Sequence, residues 1–263
     1  MKKFALVLGG GAAKGYAHIG VLKVLEKHNL VPDLIVGTSM GALVGGMYAS
    51  GYSAKELEEM ASKINSIGKF SLISTFFKGS VLNVNKVHKL LDKYLGEKKI
   101  EDTKIPFIAI ATDLGTGKEH RFQRGLLKDG IMASISIPGV FPSVKVGEKE
   151  FSDGGMVNNL PEDVARDILP DAFVLSVDVI GNYADQIESI KVKTLETFIN
   201  ASTIMITNIM HAKVKLADLR MTISLPTIPQ MEFNGEKALE AIEKGENSAR
   251  RYISKIKKGL MEK

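Results

Sequence analysis

The chain has no cysteine among its 263 residues, so no disulfide braces it. That fits a reducing compartment. It also lacks the apolar run of a secretory signal. Behind Met1-Lys2-Lys3 the stretch Phe4 to Leu8 is five residues long, against about 7–15 in a signal peptide. It reads instead as a buried first strand, and the expected location is the cytoplasm. No repeat, low-complexity tract or linker interrupts the sequence. One domain over residues 1–263 is expected, with a helical extension from about residue 194. Nor is there a broad excess of positive charge. The net charge is +5, and residues 248–263, with six Lys/Arg and one Glu, account for all of it. A neutral body with a basic tail argues against a groove that tracks nucleic acid. The tail itself is either a solvated helix face or a weak contact for anionic lipid. No His/Asp/Glu set has obvious metal-ligand spacing, so no metal or other cofactor is expected.

What is present is a long uncharged run, Leu34 to Ala54. Its length and its glycines four apart (Gly37, Gly41, Gly45) suit a membrane span. Its composition does not: it holds five glycines, three serines, a threonine and two tyrosines. Pro32-Asp33 reads as a turn into a short strand, Leu34 to Gly37. Met40 to Ser50 reads as a helix ended by Gly51. Ser39 then stands in a sharp strand-to-helix turn, Gly37-Thr38-Ser39-Met40-Gly41, the G-x-S-x-G pattern of a nucleophile elbow. Alone this pattern is weak. It needs an oxyanion site and a base.

The first strand runs into a second glycine turn, Gly9-Gly10-Gly11-Ala12-Ala13-Lys14-Gly15, before a helical segment reaching His28. Free N–H groups at the positive end of a helix suit either a pyrophosphate or a tetrahedral oxyanion. For a nucleotide speak Gly9, Gly11 and Gly15, a loosened dinucleotide fingerprint, with Asp33 as ribose acid. Against it, Asp33 precedes its strand where a ribose acid ends one. A Walker A loop is excluded because no Lys-Ser or Lys-Thr follows Gly15.

Three segments in order, "GGGAAKGYAHIGVLKVLE", "GTSMGALVGGMYASG" and "FSDGGMVNNLPEDVAR", resemble the bacterial patatin-like phospholipases, as does "IPGVFPSV" before the third. The resemblance runs from about Leu6 to Asp178. It implies a three-layer α/β/α sandwich with a mostly parallel central sheet and a serine–aspartate dyad. Carried over by position, Ser39 is the nucleophile and Asp153 its partner, with Gly10, Gly11 and Ala12 at the oxyanion loop. Gly9, Lys14, Gly15, Gly37, Gly41, Gly154 and Gly155 support the motifs. Ala12 stands where the family often has glycine, and Lys14 where it usually has arginine. An alanine N–H donates as well as a glycine N–H at negative φ. Lys14 keeps the charge without the planar fork.

The activity implied is acyl-ester hydrolysis of lipids, of phospholipase A, lysophospholipase or carboxylesterase type. A nucleotide-binding protein and a weakly active lipid-binding regulator are the alternatives. By itself, "VKVGEKEFSDGG" also reads as a plain hairpin turn. Between Tyr52 and Ile105 the pattern is helical, with Ser53 and Glu56 as a capping box. The apolar, lysine-flanked stretch Ile67 to Leu82 is either a core-packed loop or a flap that meets lipid. Pro106 to Asp113 and Phe173 to Val179 read as central strands. Thr194 to Leu219 reads as one long helix. Leu239, Ile242, Ala249, Ile253, Ile256 and Leu260 form the apolar stripe of the last helix. The five histidines are not in glycine-bounded loops after strands, so none is expected as the catalytic base.

Overall fold

The computed structural model describes residues 2–64, 84–181 and 194–262. The stretch Ile67 to Leu82 lies outside the described residues. Strands β1 (Phe4–Leu8), β2 (Leu34–Thr38), β3 (Phe107–Asp113), β4 (Lys118–Phe122), β5 (Val144–Val146), β6 (Lys149–Asp153), β7 (Phe173–Asp178) and β8 (Leu219–Thr222) form one sheet. Its hydrogen-bonded path runs β5-β6-β3-β2-β1-β7-β8, with β4 also on β3. The five strands from β3 to β8 on that path are parallel, and β4, β5 and β6 pair antiparallel.

The parallel strands are buried on both faces, which is why they read as continuous apolar runs. Their side chains still alternate. Phe4, Leu6 and Leu8 face one core, shared with α1 (Ala17–Lys27), α2 (Met40–Ala49) and α3 (Ala54–Ser62). Ala5 and Val7 face a smaller core on the other side, with Leu34, Val36, Ile108 and Ile110. The first core also takes in α4 (Val84–Leu95), α5 (Leu127–Ile135) and α8 (Gly235–Met261). The second is covered by α6 (Glu162–Ile168) and α7 (Thr194–Ala212). This is the α/β/α arrangement, with helices on both faces of a mostly parallel sheet.

Two expectations are corrected in the last third. The helix from Thr194 ends at Ala212 rather than Leu219, and Leu219 opens edge strand β8. Asp218 anchors that edge by accepting the Val174 amide at 2.7 Å. On α8, Ile242, Ala249, Ile256 and Leu260 are buried as expected, but Leu239 is 44% exposed. Elsewhere the uncharged run divides into β2 and α2, and the Ser53–Glu56 capping box forms at the start of α3. Among the described residues no helix is long and apolar enough to cross a membrane.

The register of β3 brings two chain segments together. Ala109 pairs with Gly37 on one side and Phe122 on the other, and Ala111 pairs with Asp153 and His120. With β4 along one edge, β2 and β6 therefore share the opposite edge, one after the other. β2 stops at Thr38, opposite Ile110, and β6 stops at Asp153, opposite Ala111. Residues 39 and 153, far apart in sequence, meet end to end.

Candidate active site

Ser39 alone makes the corner between β2 and α2. Its φ of 54° and ψ of −125° lie where side-chain-bearing residues are rare, at a cost of order 1–3 kcal/mol that the surroundings must offset. They do so from three directions. The Ser39 amide donates to Ser134 Oγ at 2.9 Å, and that hydroxyl donates on to the Ile110 carbonyl at 2.5 Å. The Thr38 hydroxyl donates to the Asn158 carbonyl at 2.8 Å. Helix α2 also lies so close to β1 that a methyl group on Gly41 would run into the Leu8 carbonyl. Gly37 packs beneath the first turn of α2. The glycines flanking Ser39 thus let the helix settle on the sheet while the serine is held in its strained turn.

Asp153 ends β6, so the hairpin reading and the catalytic reading describe the same segment. Its Oδ2 accepts the Ser39 hydroxyl at 2.6 Å, and its Oδ1 accepts the Gly155 amide at 2.7 Å. Gly154 packs tightly against the Ile110 carbonyl. The Asp153 backbone is fixed too: its amide donates to the Ser136 carbonyl at 2.9 Å and its carbonyl accepts the Thr112 hydroxyl at 2.8 Å. The residue is 6% exposed. Burial pushes its carboxyl up to about 6, and the hydrogen bonds from Ser39 and Gly155 pull partly the other way. Such a group is more basic than a surface aspartate and still mostly ionised at neutral pH.

The glycine turn after β1 lies against this corner, with Ser39 Cβ 3.1 Å from where a Gly10 Cβ would stand. Most of its amides serve the scaffold. Gly9 donates to the Val177 carbonyl at 3.0 Å, Ala13 to Gln230 at 2.9 Å and Lys14 to Gly11 at 3.1 Å. Gly10 donates to the Asn159 carbonyl at 3.1 Å. The three donors expected from the sequence therefore narrow to Gly11 and Ala12, whose amides have no acceptor among the described residues. Ala12 departs from expectation a second time. Its φ is 47°, not negative, so it carries strain that a glycine there would not. Lys14 is buried, and that burial lowers its ammonium to about 8. Gly15 gives room for Met40, the first residue of α2.

His18 supports the turn from beneath. Its Nε2 lies 2.8 Å from the Gly9 carbonyl and burial pushes its ring down to about 4, so the imidazole is neutral and Nε2–H is the donor. Its Nδ1 has no hydrogen-bond partner among the described residues. Among the described residues no histidine hydrogen-bonds to Ser39 Oγ or to the Asp153 carboxylate. Asp33 does not face the glycine turn. It accepts the Phe4 amide at 2.7 Å at the opposite end of β1, which removes the ribose acid of the dinucleotide reading.

Two residues of the site escaped the sequence reading. One is Ser134, under the Ser39 amide. The other is Asn159, whose carbonyl takes the Gly10 amide while its Nδ2 donates to the Gly10 carbonyl at 3.3 Å. Asn159 thereby ties the glycine turn to the segment that follows Asp153. The only trace in the sequence is the pair Asn158-Asn159 before Leu160-Pro161. Buried amides of this kind are almost always hydrogen-bonded fixtures, but their burial is not visible from sequence.

The family profile described as patatin-like phospholipase matches residues 6–166. The chain belongs to the patatin-like phospholipase family. It is similar to the human patatin-like phospholipase domain-containing protein 6, with 35% identity over 187 residues, covering 66% of this chain and 13% of that protein. It is also similar to an NTE family protein of Mycobacterium tuberculosis, with 38% identity over 163 residues, covering 60% of this chain and 44% of that one. The patatin-like chain thus spans less than half the length of these curated relatives. Among solved structures it resembles VipD from Legionella pneumophila, with a TM-score of 0.54 at 11% identity, over 97% of this chain and 67% of that one. At such identity the likeness is one of fold.

Proposed function

We propose that this patatin-like chain is a serine acyl-ester hydrolase acting on lipid esters, of phospholipase A, lysophospholipase or carboxylesterase type. The observation that carries the reading is the direct 2.6 Å hydrogen bond from Ser39 Oγ to a buried carboxylate beside a turn with two unengaged amides. Family membership supplies the lipid part. The Asp153 carboxylate takes the hydroxyl proton as Ser39 Oγ attacks the ester carbonyl carbon. The oxyanion that forms is held by the Gly11 and Ala12 amides, and each such donor is worth roughly 3 kcal/mol. The tetrahedral species collapses, the C–O bond to the alcohol breaks, and the alcohol leaves with the proton held by Asp153. Water then repeats the sequence on the acyl-serine, giving up its proton to Asp153, and the acid departs as the proton returns to Ser39.

The test is hydrolysis of a chain-length series of esters and phospholipids by wild type and Ser39→Ala. Turnover by the wild type that is abolished in a folded Ser39→Ala supports the reading. Hydrolysis that survives the substitution contradicts it. Lipid binding without any turnover in the wild type would favour the regulatory alternative.

A further inference from the structure

The two last helices present their side chains differently. On α8 the buried positions include Ala238, Ala241, Ile242, Ala249, Ile256 and Leu260, and the helix's own lysines and arginines are exposed or half-buried. On α7 Met210 is buried, but large apolar residues also face outward. Thr203 and Thr207 face inward, where their hydroxyls donate to Gln230 Oε1 at 2.9 Å and to the Thr203 carbonyl at 2.8 Å. Ile204, Met205 and Ile209 face outward, with Met205 64% exposed. Val214 and Leu216 extend the apolar surface past the helix end, Val214 at 77%. Of the twelve large hydrophobic residues exposed among the described ones, these are five, within thirteen positions. Scattered exposed hydrophobics need no explanation, but a cluster does.

Two further facts indicate what this surface meets. The first is charge. No acidic residue occurs in the sequence between Glu196 and Asp218; Lys213 and Lys215 stand beside the apolar residues, and Lys213 also pairs with Asp163 at 3.4 Å. The second is place. Ile206 of α7 packs on the turn after Asp153, its Cδ1 3.6 Å from where a Gly155 Cβ would stand, and the next residue, Met156, is 40% exposed. An apolar face with lysines at its margin suits the boundary between lipid headgroups and acyl chains. Adjacent to the nucleophile's partner, it would set the candidate site at that boundary.

We propose that the outward face of α7, from Ile204 to Leu216, docks on an anionic phospholipid surface. This names the surface from which the site draws substrate and so rests on the lipid-ester reading above. Docking itself needs no turnover, so it is measured with Ser39→Ala protein, which separates the two claims. Flotation with vesicles of equimolar phosphatidylcholine and phosphatidylglycerol should recover the full chain. Met205→Ser with Ile209→Ser should weaken that recovery about tenfold or more, given the apolar area withdrawn from the interface. Val31→Ser, at an exposed apolar residue before β2 and outside this face, should leave it unchanged. The chain has no tryptophan, so Met205→Trp supplies a single reporter, whose emission should shift to the blue on adding the vesicles. In otherwise wild-type protein the double serine variant should hydrolyse a soluble short ester within about twofold of wild type, as surface changes do. Equal vesicle recovery by the double variant, an unshifted emission, or parallel loss of soluble-ester turnover would overturn the proposal. So would self-association of the wild type that the double variant abolishes while vesicle recovery stays the same, because the face would then bind a second copy.

Discussion

The corner after β1 and the corner after β2 lie side by side at one end of two neighbouring central strands. Each passes from a parallel strand into helix, and each holds one side-chain-bearing residue at positive φ: Ala12 at 47° and Ser39 at 54°. Their hydrogen bonding differs. At Ser39 the amide is committed to Ser134 and the hydroxyl to Asp153, so both the position and the proton of the side chain are specified. At Ala12 the neighbouring amides of Gly10, Ala13 and Lys14 are committed, and those of Gly11 and Ala12 have no acceptor among the described residues. One corner aims a side chain; the other leaves backbone donors open. The strain at Ser39 serves a group that no glycine could replace. The strain at Ala12, on the proposed reading, serves only a donor that glycine would supply equally well.

The largest effect that sharpens this contrast is expected at the partner of the first corner. Asp153→Asn keeps the size of the side chain and removes the proposed base. Ester hydrolysis should fall by about 10³-fold or more, measured as kcat/KM on a folded variant. A variant retaining a tenth of wild-type activity would show that the proton goes elsewhere.

The next effect lies in the contact between corners. A methyl group at position 10 would overlap Asn159 Oδ1 and crowd Ser39 Cβ. Gly10→Ala should therefore displace the donors and cost on the order of 10²-fold in kcat/KM. Asn159→Ala removes a side-chain tether and leaves the carbonyl that holds Gly10, so its loss should be smaller, about tenfold. If Asn159→Ala proves the more damaging of the two, the asparagine does more than position the turn.

The pH behaviour of Asp153 gives a third, moderate effect. Its carboxyl is pushed up to about 6 by burial, so kcat/KM should decline on the acid side with an apparent pKa near that value. Stability runs in the opposite sense. The folded state holds this proton more tightly than the unfolded chain, whose aspartates titrate near 3.9. The resulting stabilisation is complete below about pH 4 and is lost as pH rises through about 6. Relative to a neutral residue, the buried charge then costs on the order of 2–3 kcal/mol. Thermal melts of Asp153→Asn should exceed wild type at pH 8, and the gap should close towards pH 4. A gap that does not change with pH would mean that the carboxyl titrates as an ordinary aspartate.

The smallest effect is at the second corner. Ala12→Gly should stabilise the protein by about 0.5–1 kcal/mol in denaturant melts, because relief at positive φ exceeds the added chain entropy. Activity should stay within about threefold of wild type, since the amide remains. A destabilised Ala12→Gly would show that the methyl group packs rather than strains.

The parts of the site that could be read from sequence are those that alter the backbone. Glycines at 9–11, 15, 37, 41, 154 and 155 mark the corners: at 37, 41 and 154 another main chain lies where a Cβ would stand, and at 10, 11, 15 and 155 a side chain does. What held the corners together was not legible. Ser134 and Asn159 act by single hydrogen bonds from buried positions, and neither periodicity nor spacing records such a bond. The sign of φ at Ala12 was hidden for a related reason: the sequence names the residue but not the turn. In the fold, alternation and apolar runs sufficed for the central strands. They failed past Ala212, where Lys213 to Leu216 alternates exposed residues and the short strand β8 is defined by its pairing to β7. The outward apolar residues of α7 likewise look, as sequence, like those of any Ile- and Met-rich core helix.

The most direct test of the account is intact-mass spectrometry after treatment with a fluorophosphonate, followed by peptide mapping. The arrangement of a strained serine, a buried carboxylate and two open amides predicts a single adduct, located on Ser39, absent from Ser39→Ala and much slower to form in Asp153→Asn. An unmodified folded protein, or an adduct that maps to another residue and survives Ser39→Ala, would contradict it.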